Sequence, residues 1–110
     1  MARTALAVQS IVRSGLTPSY AAANVDGHSL PNGGTQEFLH VKTGGTGTTV
    51  TIQTPTTVDG LAVADRTVVI GTSSERMIGP FPRSQYNQGA EEVYIDFSSV
   101  TTVTCAAFTI

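Results

Sequence analysis

The feature that most limits the fold is a rhythm. Short segments crowded with Thr, Val and Ile are each cut off within a few residues by Gly, Pro, Asn-Gly or Asp-Gly. β-Branched side chains keep their rotamers on a pleated surface and lose χ1 freedom in a helix, so each segment favours strand. Turn chemistry recurring every 8–12 residues or so points to an antiparallel sandwich or barrel rather than a parallel α/β chain. The expectation is an all-β, single-domain fold of about seven or eight short strands, with jelly-roll or immunoglobulin-like connections.

A chain of 110 residues fits one core and leaves little room for a second. Six basic against eight acidic residues give a net charge of −2, with no basic excess to neutralise nucleic-acid phosphates or an anionic membrane. The single Cys105 closes no intramolecular disulfide and builds no cysteine zinc site. Near the start, Gln9 and Ser10 interrupt the apolar run before it reaches signal-peptide length, and no stretch approaches the ~20 apolar residues of a membrane span. The chain is therefore expected to be soluble where it is made.

Along the chain, Leu6 to Val12 reads as a first strand, with Ile11 out of phase and so a bulge or two-sided burial. Residues 1–5 form an N-terminal arm and residues 15–35 a long loop rich in Pro18, Asn24, Asp26-Gly27 and Asn32-Gly33, with a single helical turn at Ala21–Ala23. A loop of that length is a candidate for partner contact, and its removal should leave folding nearly intact. Gln36–Thr43 and Thr48–Thr54 read as a hairpin around Gly44-Gly45-Thr46-Gly47, with Leu39, Val41, Val50 and Ile52 inward. Strands follow at Arg66–Ile70 and Glu75–Ile78, ended by Gly79-Pro80-Phe81-Pro82, whose Phe81 plugs one end of the core. After a polar turn, Glu91–Phe97 and Val100–Ile110 close the chain as strands.

No catalytic, cofactor or metal site emerges. His28 and His40 are the two imidazoles; Asp26 beside His28 is more economically a turn, and Glu37 and His40 fall on opposite faces of a strand. Cys105, among small apolar residues, reads as a buried thiol with a raised pKa. No nucleophile elbow and no Gly-x-Gly-x-x-Gly opening a helix is present, and Glu91-Glu92 point to opposite sides of a strand.

What remains is a surface for protein contact. Five arginines outnumber the lone Lys42, and a guanidinium survives desolvation at an interface better than an ammonium. The candidate contact residues are Arg3, Tyr20, Asp26, His28, Arg66, Arg76, Arg83 and Tyr86.

The runs Thr54-Pro-Thr-Thr-Val-Asp-Gly-Leu-Ala-Val-Ala-Asp-Arg-Thr-Val68, Glu75-Arg-Met-Ile-Gly-Pro-Phe-Pro82 and Tyr86-Asn-Gln88, together with size and strand rhythm, resemble the small β proteins encoded beside the major capsid gene of tailed bacteriophages. The resemblance implies a virion structural protein without enzymatic activity or cofactor. It would be made in the host cytoplasm, placed in many copies on the capsid, and in contact with the major capsid protein and its own copies rather than with nucleic acid or membrane. A head-to-tail connector or tail subunit, and a carbohydrate-binding sandwich, are the alternatives. The absence of Trp and the presence of only three Tyr weaken the last of these.

Overall fold

A computed structural model describes residues 3–32, 36–55, 57–88 and 91–110. The all-β expectation holds. Twelve strands occur among the described residues: β1 (Thr4–Ala5), β2 (Val8–Ser10), β3 (Ala21–Ala22), β4 (His28–Pro31), β5 (Glu37–Thr43), β6 (Thr48–Ile52), β7 (Thr57–Val58), β8 (Leu61–Ala62), β9 (Arg66–Ile70), β10 (Glu75–Ile78), β11 (Glu92–Phe97) and β12 (Val103–Thr109). One helical turn, α1 (Arg83–Tyr86), occupies part of the expected polar turn. The strand number exceeds the seven or eight expected because four strands are only two residues long.

Two larger sheets form, one in the order β1-β4-β11-β6-β9 and the other β10-β5-β12-β2, with β3 also on β12. β7 and β8 make a separate miniature hairpin, turned by Asp59 and Gly60, both at positive φ, which Asp-Gly adopts readily. The large sheets contribute to one apolar cluster, giving a sandwich-like arrangement. Leu30, Val50, Ile52, Ile70, Val93 and Ile95 come from the first sheet, and Leu39, Val41, Ile78, Val103, Cys105 and Ala107 from the second. Phe81 joins it at 2% exposure, as expected of a plug. Alternation dictates this assignment: Leu39 and Val41 face Ala107 and Cys105 across the β5–β12 ladder, two residues apart and therefore on one face.

Three sequence expectations are corrected. Gly44–Gly47 does not turn a hairpin, because β5 pairs with β10 and β12 while β6 pairs with β9 and β11, so the segment carries the chain from one sheet to the other. The 15–35 stretch is not simply a loop. Ala21–Ala22 is strand β3 rather than a helical turn, and β4 lies between β1 and β11 with Leu30 fully buried, so removing this stretch would remove part of the core. His28-Ser-Leu-Pro31 is too short and too polar to show a strand's alternation in the sequence. Its buried His28 and Ser29 occupy a strand paired on both sides. Finally, the misfit in Leu6–Val12 is a change of sheet: β1 pairs with β4, Leu6 enters the core at 5% exposure, and β2 pairs with β12. Of the expected N-terminal arm, Arg3 to Ala5 is docked on the first sheet; Met1 and Ala2, like Gly33 to Thr35 of the expected loop, lie outside the described residues.

The second sheet is covered in part on its far face as well. Ala106, Phe108 and His40 are buried there at 2%, 6% and 6% exposure. Tyr20 lies over them, with its ring edge-on to His40 and Phe108. The preceding segment is tied down by a reciprocal pair in which Gln9 Nε2 donates to the Ser19 carbonyl (2.7 Å) and the Ser19 N–H donates to Gln9 Oε1 (2.9 Å).

Candidate functional site

Consecutive strands β9 and β10 belong to different sheets, and each is an outer edge of its own sheet. The connection from Gly71 to Ser74 joins them at one end. At the other, Gly79-Pro80-Phe81-Pro82 leads into α1 and closes the space between the edges into a cleft of about 470 Å³. Its floor includes Val68, Ile78 and Phe81, and its rim Arg66, Arg76, Gln85 and Tyr86. A second depression of about 720 Å³ continues past Arg66, lined by Thr54, Asp65, Thr67 and Ser84 among others.

Three of the eight sequence-derived contact residues therefore converge here. Arg66 sits at the start of β9 and Arg76 in β10, both exposed. The Tyr86 ring is buried edge-on against Phe81 at 5.6 Å, and its hydroxyl accepts from Arg66 Nε at 3.4 Å. That hydrogen bond raises the guanidinium pKa above its already high ordinary value, so Arg66 stays cationic. The Arg76 guanidinium bonds backward, to the Glu75 carbonyl (3.1 Å).

The other five candidates are placed elsewhere. Arg3 is a clamp: its Nη1 donates to Asp96 Oδ1 (2.7 Å) and to the Ile95 carbonyl (3.2 Å), and its guanidinium lies 4.4 Å from the Tyr94 ring centre. Burial alone would push the Asp96 carboxyl up, but hydrogen bonds from Arg3 and Gln53 outweigh it and hold the pKa below the usual aspartate value. Asp26 turns the chain, its N–H donating to Asn24 Oδ1. His28 exposes none of its surface, and so offers no contact in this fold: one ring nitrogen lies 3.1 Å from the Thr4 carbonyl and the other accepts the Asn24 N–H at 2.9 Å. Arg83 pairs with Glu91 at the surface.

Tyr20 belongs to a cluster that the sequence did not reveal. Its hydroxyl is 2.7 Å from His40 Nδ1, His40 Nε2 is 2.9 Å from Glu75 Oε1, and Lys42 Nζ stands 4.7 Å from the Tyr20 ring centre. Glu75 lies opposite Lys42 in the β10–β5 ladder and Met77 opposite His40, so Glu75 is a diagonal neighbour of His40 on the same face. Glu37, weighed from sequence, does lie elsewhere; its carboxylate accepts from Thr109. Burial, followed by the Glu75 charge, raises the Tyr20 pKa, so the phenol keeps its proton and the relay fixes the covering segment rather than creating a phenolate nucleophile. No sequence spacing links residues 20, 40 and 75; the register of β10 against β5 brings Glu75 to His40, and the pairing of β3 on β12, itself paired with β5, brings Tyr20.

Cys105 is fully buried, and burial pushes its thiol up to about 12. Among the described residues no group of three or more His, Cys, Asp or Glu side chains is placed to hold a metal ion. The chain matches no protein-family model, no curated protein and no solved structure.

Proposed function

We propose that this chain is a structural component of a tailed-bacteriophage virion: a single β-sandwich domain decorating or cementing the capsid through contacts with the major capsid protein and neighbouring copies. In this reading it transforms no substrate and engages neither nucleic acid nor membrane. The observation that supports it best is the convergence of Arg66 and Arg76 on an open seam between two sheet edges. A large apolar side chain stands out beside it, Met77 at 68% exposure. Arginine beside exposed aliphatic surface is the composition of a protein-contact patch. The resemblance of residues 54–88 to head proteins supplies the partner class.

Copy counting by mass spectrometry of purified particles tests it. Hundreds of copies per particle fit decoration, whereas about six or twelve mean a connector or tail ring, whose closed symmetry limits the number. Absence from purified particles overturns both.

A further inference from the structure

We propose that the seam between β9 and β10 receives an extended acidic segment of a partner polypeptide, its carboxylates held by Arg66 and Arg76 and an apolar neighbour directed at the floor of Val68, Ile78 and Phe81. This deepens the decoration reading and rests on it for the partner's identity, though not for the chemistry of the cleft.

Charge complementarity carries the inference. Among the described residues the ion pairs are Arg3–Asp96, His40–Glu75 and Arg83–Glu91, none of which involves Arg66 or Arg76. The carboxylate beside Arg66 in sequence, Asp65, accepts instead from the Thr54 N–H (2.9 Å) and the Thr54 hydroxyl (3.2 Å). Two cations therefore rim one cleft with no ion-pair partner among the described residues. A guanidinium presents a planar fork that matches a carboxylate, and it gains most where the surroundings are partly apolar.

The rest of the cleft argues for a peptide over a free anion. An inorganic anion would leave the floor of Val68, Ile78 and Phe81 uncovered, whereas a side chain flanking a carboxylate would cover it. Main-chain pairing is available too: among the described residues β9 pairs with β6 alone, so its other edge is open to an added strand. On the opposite wall, β10 stops at Gly79-Pro80, and Pro80 has no N–H to extend a ladder. The free edge of β10 is open as well, but it is the shorter of the two and cannot be extended past Gly79, so the added segment aligns on β9 and reaches Arg76 with a side chain.

The test is selection of yeast-displayed random linear peptides on the full chain, followed by fluorescence anisotropy with synthetic versions of those enriched. The expected winners carry Asp or Glu beside an apolar residue. Their affinity falls about tenfold or more against Arg66→Gln, against Arg76→Gln, and when the peptide's own acid is changed to its amide. Arg13→Gln, a change outside the seam, leaves it unaltered. Melting curves confirm that the exposed-residue variants remain folded. No enrichment, enrichment without acidic residues, equal binding by the seam variants, or full displacement by millimolar inorganic phosphate would each overturn the proposal. Particle copy number judges the decoration reading separately, so either can fail while the other stands.

Discussion

Replacing His28 by glutamine should cost stability in a way that depends on pH, and the structure sets both the size and the sign. The ring is wholly buried, one nitrogen facing the Thr4 carbonyl and the other accepting the Asn24 N–H, with Phe97 edge-on at 5.8 Å. This arrangement requires the neutral imidazole, since a nitrogen that accepts an N–H carries no proton. Burial first, and the nearby Arg3 charge as well, lower the pKa below the ordinary 6.5, against a smaller raising effect of the Thr4 carbonyl. A glutamine cannot span both partners, so at least one buried polar group is left unsatisfied, at about 1–3 kcal/mol. That penalty appears in full at about pH 8, where the native and unfolded imidazoles are both neutral. Because the folded pKa is the lower one, the unfolded chain binds the proton first as pH falls through 6.5. The wild-type protein then loses up to about 1.4 kcal/mol per pH unit until the folded pKa is passed, and the variant loses none of this. Urea unfolding of both proteins at about pH 8 and about pH 5 measures the gap, which should shrink or vanish at the lower pH. A gap that stays constant across this range would refute the assignment of His28 as a buried neutral base.

Other perturbations separate the remaining structural claims. Gly27 has φ +89°, and a Cβ there would meet Arg3 Nη1, Asp96 Oδ1 and, at 2.8 Å, the Ile95 carbonyl. Gly27→Ala should therefore lose about 2–4 kcal/mol in a denaturant melt by straining the backbone and opening the Arg3 clamp; an unchanged midpoint contradicts the docked N-terminus. Cys105, with its thiol pushed up to about 12, should ignore a disulfide reagent at neutral pH in the native protein and react at once in denaturant; rapid native labelling would disprove its burial. For Asp96, whose pKa is lowered, stability is present above the ordinary 3.8 and lost as pH falls through the folded value. Asp96→Asn should flatten that acid limb while leaving the His28 limb near pH 6.5 in place, as pH-dependent melts will show.

How far the sequence discloses this fold follows from what each pattern encodes. Period-two alternation encodes which side chains point inward, and at Leu39, Val41, Val50, Ile52, Val93 and Ile95 it agrees with full burial. It does not encode which sheet a strand joins. A hairpin and a crossing between facing sheets both place the apolar side chains of consecutive strands in one core, so β5 and β6 read alike under either connection. The same ambiguity concealed the seam. Arg66 and Arg76 are ten positions apart in chemistry that looks like ordinary surface, and they share a cleft because β9 and β10 are edges of different sheets. The Tyr20–His40–Glu75 cluster was hidden for a related reason, since it depends on the registers of β10 against β5 and of β3 and β5 against β12 rather than on spacing along the chain.

The Gly44–Gly47 segment itself offers a way to tell the two connections apart. Two-residue hairpin turns need positive φ, and would make glycine valuable at the central positions. None of Gly44, Gly45 and Gly47 has φ in that region. What constrains Gly47 is closeness: a Cβ there would stand 2.6 Å from the Ile70 carbonyl, at the end of the neighbouring strand β9. Gly45 has open space around it. In the crossing connection, Gly45→Ala is tolerated and gains up to about 1 kcal/mol by restricting the unfolded chain, while Gly47→Ala loses stability because Ile70 must shift. In a hairpin whose Gly-rich turn holds a glycine at positive φ, substitution of that glycine would strain the backbone. Chemical denaturation of the two variants decides between them: a clear loss in Gly45→Ala, or no loss in Gly47→Ala, would return β5 and β6 to a single sheet and close the seam that depends on their separation.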